Sequence, residues 1–335
     1  MAVVTSSNNS SLSPLNVFYD RVPLKRLIAK TVYYQLAWKK SLEDNKGRTY
    51  SWTIGGVQSA DNTPLAEGVP VVPTNVSSST ITTQVQEYGN AMAISSLLGN
   101  TSVVDADKFL LEQIEQKGAY TIDQLIRDEV FNTCTTFGTN LFAANNKASI
   151  AAIGAADTLS NADLRRLHFV LENNNTPEYK NGYMAAIISV GQKYDVTNSA
   201  TGGAFLDLVK ESPFVAEYKK SMEIMEDGEV SPIGSYSGLV LFSTTLAPVV
   251  GNGTTNVHYA AAWGSESLAA TELSGERFKL FRKEADKDSS MYDILGMIKL
   301  ALGYKMAFAA KNLSQDLTTP SNQRVIVMGS AVSLF

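Results

Sequence analysis

The chain has 335 residues, 44% hydrophobic and 18% charged, a composition that can bury one large core or two ordinary ones and does not fit a disordered protein. Its formal net charge of −5 argues against nucleic-acid binding by bulk charge. A single cysteine, Cys134, excludes an intrachain disulfide and reads as a small buried hydrophobe, and no apolar run reaches the ~18 residues of a membrane-spanning helix.

The charge is unevenly placed. Residues 1–40 carry Arg21, Lys25, Arg26, Lys30, Lys39 and Lys40 against Asp20 alone, whereas the rest carries 22 basic and 32 acidic residues. A basic arm on an acidic body suits contact with an acidic neighbour or with nucleic acid; the alternative is a solvated helix face. The start, Met1-Ala2-Val3-Val4-Thr5-Ser6, lacks the charged and apolar regions of a secretion signal. Residues 5–13 are rich in Ser and Asn, as expected of a flexible or partner-bound tail. From Leu24 to Leu42, apolar residues at Leu24, Leu27, Ile28, Val32 and Leu36 predict a helix, with Pro23 suited to its first turn.

Tyr50, Trp52 and Ile54 alternate with small polar residues and predict a strand that ends at Gly55-Gly56. Residues 57–80 are rich in Pro, Ser, Thr and Gly, so 46–80 reads as a long projecting β-hairpin or loop that acts at a partner surface. Strand character returns over 80–97, with Ile81, Thr83, Val85 and Glu87 on one face. The longest regular element follows. Leu110, Ile114, Gly118, Ile122, Leu125, Ile126, Val130, Cys134, Phe137 and Leu141 step by threes and fours, with Asp105 placed to cap the start and Gly118 to mark a kink.

Ser160 or Asn161 can cap a helix through Leu164, Leu167, His168 and Leu171 that stops at Asn173-Asn174-Asn175, and residues 183–188 predict a buried strand. Short helical pieces are expected near 205–209 and 213–220. Asp227-Gly228-Glu229-Val230-Ser231-Pro232-Ile233-Gly234-Ser235-Tyr236-Ser237-Gly238-Leu239-Val240-Leu241-Phe242-Ser243 is a glycine-punctuated turn running into an apolar strand, followed by a loop to Gly253 and a second strand, Val257-His258-Tyr259-Ala260-Ala261-Ala262-Trp263-Gly264. Residues 277–282 alternate as a strand, 291–310 form an amphipathic or mixed segment, and 324–328 form the last strand.

Sites of chemistry are scarce. Two histidines, His168 and His258, and one cysteine cannot close a structural zinc site without carboxylates, and both histidines read as packed or surface residues. The sequence contains no phosphate-binding glycine loop and no nucleophile elbow; Gly234-Ser235-Tyr236-Ser237-Gly238 has its serines at the wrong spacing. The acidic turn Glu226-Asp227-Gly228-Glu229 needs no explanation beyond solubility, and Phe278-Lys279-Leu280-Phe281-Arg282-Lys283 fits a strand with one wet face better than a base-stacking platform.

The order of these elements resembles the major capsid proteins of tailed phages with the Hong Kong 97-like fold. The segments Tyr34-Gln35-Leu36-Ala37-Trp38, Leu65-Ala66-Glu67-Gly68-Val69-Pro70 and Gln86-Glu87-Tyr88-Gly89, with the Asp227-to-Ser243 block and the Val257-to-Gly264 strand, look most like the N-four-type podophage capsid family. The resemblance implies an α+β fold with an N-terminal arm (1–45), an extended β-hairpin loop (46–80), a peripheral domain with a spine helix at about 104–142 (81–149), an axial domain (150–265) and a return to the peripheral domain (266–335). It implies a structural, non-enzymatic protein without catalytic residue, metal or cofactor, which self-assembles into hexamers and pentamers of an icosahedral shell around double-stranded DNA. An encapsulin-like nanocompartment shell is the alternative.

Arm contacts between subunits would fall to Arg21, Lys25, Arg26 and Lys30, and loop contacts to Trp52, Ile54, Gly55 and Gly56. The implied partners are the portal protein, a separate scaffolding protein, a cement or decoration protein, and packaged DNA on the inner face, with no membrane. The implied location is the virion capsid, assembled in the host bacterial cytoplasm. Some relatives cross-link a loop lysine to a neighbour; no lysine lies between Arg48 and Lys108, so the shell would hold by non-covalent burial.

Overall fold

The computed structural model describes residues 31–43, 47–56, 60–65, 67–68, 70, 73, 75–101, 106–136, 140–142, 147–179, 182–198, 232–274, 278–284, 298–314 and 323–333. In chain order the elements are α1 (Tyr33–Leu36), β1 (Trp38–Leu42), β2 (Thr49–Gly55), β3 (Ser78–Gln84), β4 (Gln86–Ser95), α2 (Ser96–Thr101), α3 (Ala106–Thr136), β5 (Asn140–Phe142), α4 (Asn161–Asn173), β6 (Met184–Ser189), α5 (Val190–Asn198), β7 (Gly234–Tyr236), β8 (Leu239–Thr244), β9 (Val249–Gly251), β10 (Asn256–Trp263), β11 (Leu268–Leu273), β12 (Lys279–Glu284), β13 (Ile298–Asn312) and β14 (Val325–Ser330). They fall into two compact units. Among the described residues, the smaller takes those within 90–116 and 280–304, and the larger those within 31–89, 117–279 and 305–333.

The larger unit is organised by a seven-stranded mixed sheet in the order β5-β14-β10-β6-β8-β7, with β9 also paired to β10. Its central strands are continuous apolar runs because both faces are covered. Successive residues of each strand therefore enter different cores. Ala185, Ile187, Val240, Phe242, Ala261, Trp263, Val325 and Val327 pack with Tyr33 and Leu36 of α1 and with Ile126, Val130 and Phe131 of α3. The residues between them, Met184, Ala186, Ile188, Leu239, Leu241, Ala260, Ala262, Ile326 and Met328, pack with Leu164, Leu167 and Leu171 of α4 and Val196 of α5. The result is a sheet between two helical layers.

A second sheet joins β1 to β11 in parallel and β11 to β13 antiparallel, with Trp38 opposite Ala269 and Leu268 opposite Asn312. In the smaller unit, β13 also pairs with β12 and β4. The third sheet is the hairpin β2–β3, in register from Thr49 opposite Gln84 to Gly55 opposite Ser78.

Local chemistry explains several boundaries. Ser160 accepts from the Asp163 N–H, the Asp163 carboxylate accepts from the Ser160 N–H at 3.0 Å, and this reciprocal pair starts α4 at the expected place. Asn175, at φ 50°, turns the chain away after the helix. At the β7–β8 turn, Gly238 has φ +81° and lies under His168, whose Nε2 would stand 2.4 Å from a Cβ there. His168 is thus a packing residue on α4, as the sequence suggested.

Other expectations need correcting. The helix expected over 24–42 is described only as the single turn Tyr33–Leu36; Ala37 is extended, and residues 38–42 form a strand because they pair with β11. The strand region 80–97 is two strands, β3 and β4, of which β3 is the returning half of the hairpin. The long helix spans 31 residues, about 46 Å at the usual rise, and gives way before Leu141, which enters β5 opposite Met328. Gly118 marks a close approach, since a Cβ there would lie 2.5 Å from Phe278. In the mixed segment 291–310, β13 begins at Ile298, and Leu300, Leu302 and Tyr304 alternate as buried strand residues. The final strand, β14, pairs with β10 and β5 in the seven-stranded sheet, so residues 266–335 serve more than one sheet. The expected features at 5–13, Asp105, 205–209, 213–220 and 227–231 lie outside the described residues.

Candidate functional site

The hairpin is two-sided. Tyr50, Trp52 and Ile54 lie on the partly buried face of β2, opposite Thr83, Ile81 and Ser79, while Thr49, Ser51, Thr53, Thr80 and Thr82 line the exposed face. No charged residue occurs in either strand. Pairing continues one step past β2, where the Gly56 N–H donates to Ser77 O at 2.8 Å. The close approach depends on glycine, because a Cβ at Gly56 would lie 2.1 Å from Ser77 Oγ. Gly55 has open space around it.

Trp52 does not belong to a free loop surface. It is 8% exposed and packs on Ala269 and Leu313 of its own chain, with Trp38, Tyr50 and Ile81 around it. The ring roots the hairpin in the β1–β11–β13 sheet. Beyond this root, Leu65 and Val76 are 75% and 84% exposed. Arg21, Lys25, Arg26 and Lys30 lie outside the described residues.

The segment that follows them is firmly placed. The α1 turn puts Tyr33 at the centre of the core, stacked on Trp263 at 6.3 Å and edge-on to Phe131 at 6.4 Å. The Tyr34 N–H donates to Asp123 Oδ1 at 2.9 Å, and the Tyr34 hydroxyl donates to Glu272 Oε1 at 2.6 Å. Tyr179 O–H donates to Leu36 O at 3.0 Å. Lys39 and Lys40, two of the basic residues counted with the arm, sit over the rings of Tyr34 and Trp38 at 4.7 and 4.1 Å. The arm therefore leaves from a fixed root.

Asp123 is fully buried on α3, and among the described residues its Oδ2 has no hydrogen-bond partner. Burial pushes its carboxyl up to about 6, against the opposing pull of the backbone N–H groups of Tyr34, Val32 and Tyr33 and of Arg127. Sequence reasoning missed this residue, because an acid on a long helix looks like part of a wet face.

At one end of the seven-stranded sheet, Gln192 on α5 donates to His258 O at 2.9 Å and to Ser330 Oγ at 2.8 Å, and accepts from the Ser189 N–H at 2.9 Å. Asp195 accepts from the Ser333 hydroxyl and backbone N–H. Burial holds the His258 imidazole below its usual range against the raising influence of Asp195, and among the described residues its Nδ1 has no hydrogen-bond partner. This network ties α5 to the ends of β6, β10 and β14. Among the described residues, no group of three or more His, Cys, Asp or Glu side chains could hold a metal ion.

No family model matches the chain, and no curated protein matches it in sequence. Solved structures match over almost the whole chain. The capsid of Ralstonia phage GP4 aligns with TM-score 0.69 at 12% identity, covering 99% of this chain and 98% of that one. The cyanophage Pam1 capsid aligns with TM-score 0.65 at 10% identity, covering 97% and 99%. The head structure of Helicobacter pylori bacteriophage KHP40 aligns with TM-score 0.63 at 10% identity, covering 98% and 97%. The fold is therefore that of tailed-phage capsid chains, the α+β class the resemblance implied, and these similarities do not favour the encapsulin-like alternative.

Proposed function

We propose that this chain is the major capsid protein of a tailed bacteriophage, self-assembling through hexamers and pentamers into the icosahedral shell around a double-stranded DNA genome. The observation that carries this reading is end-to-end likeness: the chain and the GP4 capsid chain each cover at least 98% of the other. The function is geometric and non-enzymatic, and the protein resides in the virion capsid after assembly in the host cytoplasm.

Within that reading, residues 1–45 are the arm, 46–80 the extended loop, 81–149 and 266–335 the peripheral domain and 150–265 the axial domain, with β14 adding a strand to the axial sheet. Arg21, Lys25, Arg26 and Lys30 are proposed for arm contacts, and Ile54, Gly55 and Gly56 for loop contacts with a neighbour. The quoted segments around Tyr34, Leu65 and Gln86 support placement near the N-four-type podophage family. A separate scaffolding protein, a portal protein and a cement or decoration protein complete the proposed partners, and closed-shell stability comes from several interfaces, each of the order of ~1,600 Å².

Purified protein, alone or co-expressed with a scaffolding protein, is expected to form closed shells visible by negative-stain microscopy and sedimenting as megadalton particles. A subunit that stays monomeric under all these conditions would overturn the proposal.

A further inference from the structure

Asn252 uses its whole hydrogen-bonding capacity. Its Nδ2 donates to Ile150 O at 2.9 Å and to Ile153 O at 2.8 Å, and its Oδ1 accepts from the N–H groups of Thr254 and Thr255 at 3.0 and 2.8 Å. A carboxamide offers two hydrogens and two lone pairs on oxygen, so all four are taken. The Asn252 N–H closes the same loop on Thr255 O at 3.1 Å. One side chain thus shapes the turn between β9 and β10, where Gly251 stands opposite Asn256, and ties it to the short 3-10 turn Ile150–Ala152. The anchor is firm, because Ile153 is buried in the same core as Val257 of β10.

The next residue is a glycine. Gly253 is exposed, has φ +85°, and has open space where a Cβ would stand. A following glycine gives its backbone nitrogen the least hindered route to the asparagine side chain. In that reaction the Gly253 nitrogen gives its proton to base and attacks Asn252 Cγ. The new C–N bond closes a succinimide, the Cγ–Nδ2 bond breaks, and Nδ2 leaves as ammonia with a proton from solvent. Water then opens the ring at either carbonyl, leaving aspartate or isoaspartate. Ring closure requires the carboxamide to turn its face to the Gly253 nitrogen, and the four hydrogen bonds of the side chain oppose that rotation.

We infer that Asn252–Gly253 is a deamidation site gated by the fold, closed while the β9–β10 turn rests on residues 150–153 and reactive in copies whose turn has lifted. Such local opening occurs at a lower free energy than global unfolding. The reaction then fixes the lifted state. An ionised aspartate at 252 has no hydrogen for Ile150 O or Ile153 O and sets a charged oxygen against two carbonyl oxygens, so the original ties cannot re-form. The gate belongs to the single subunit and is independent of the shell reading.

The test follows deamidation of the full-length protein in mildly alkaline buffer, with and without denaturing urea, by peptide mass spectrometry and isoaspartate assay. The other Asn-Gly pair of the chain, Asn181-Gly182, confirms in urea that the conditions drive the reaction. Residue 252 should react in urea and at least roughly tenfold more slowly in native buffer. Ile153→Ala loosens the anchor and should raise the native rate at 252 several-fold, with the rate in urea unchanged. Leu171→Ala, in the core on the opposite face of the sheet, should raise it far less. Asn252→Asp, which mimics the product, should speed hydrogen exchange across residues 249–256 roughly tenfold or more, and this carries the test should Ile153→Ala fail to fold. Equal rates at 252 in native buffer and in urea, no reaction there in urea, or equal acceleration by the two core variants would overturn the gate. So would unchanged exchange in Asn252→Asp.

Discussion

The Phe278 ring occupies the space that a side chain at Gly118 would need. A Cβ on Gly118 would lie 2.5 Å from Phe278 Cε2 and 2.8 Å from Cζ, so α3 and the segment entering β12 approach through a missing methyl group.

In an open helix, Gly118→Ala would gain up to about 1 kcal/mol. Here the ring must move, so the expected outcome is net destabilisation of roughly 1–3 kcal/mol. Adding Phe278→Leu to Gly118→Ala should recover most of the loss. Denaturant unfolding of the subunit, carried through the two single variants and the double variant, measures the coupling.

Asp123 makes stability depend on pH. Its carboxyl is raised from 3.8 to about 6, so the folded state holds the proton more tightly than the unfolded chain does. The stabilisation is complete below about 4 and is lost as pH rises through about 6, amounting to roughly 3 kcal/mol at most. Asp123→Asn keeps an acceptor for the Tyr34 N–H and removes the titration. Wild-type stability relative to Asp123→Asn should therefore fall between pH 4.5 and pH 7.5; a difference that is constant across this range would contradict the assignment.

Trp52→Ala should destabilise the isolated subunit by roughly 3 kcal/mol, because the indole is buried against Ala269 and Leu313. Ile54 sits near the end of the strand, only half-buried, and Ile54→Ser should cost far less. Thermal melts of unassembled protein separate the two.

Ser160→Ala removes one half of the capping box on α4 and should cost about 1 kcal/mol. Ser160→Asp, which retains a capping oxygen, should cost less. Urea unfolding midpoints of the two variants give the ranking.

The fold was most legible where one local pattern ran long. The three-and-four spacing from Leu110 to Val130 marked α3, and the apolar run at residues 184–188 marked β6. It was least legible where a distant partner decides the outcome. Residues 38–42 extend because β11 lies alongside them, and Leu141 leaves the helical pattern because β14 takes it into a sheet. The alternating Leu300, Leu302 and Tyr304 were hidden by methionines and leucines that also fit a helix. Among the site residues, the sequence located the hairpin but could not tell that Trp52 faces its own body.

Strand β14 runs between β5 and β10, and its residues, 325–330, come last among the strands. Until residues 325–330 are in place, the sheet has a gap between β5 and β10. Prematurely terminated chains lack the wedge that closes that gap. Truncation thereby leaves the apolar edge of β10 without the partner it pairs with from His258 to Trp263.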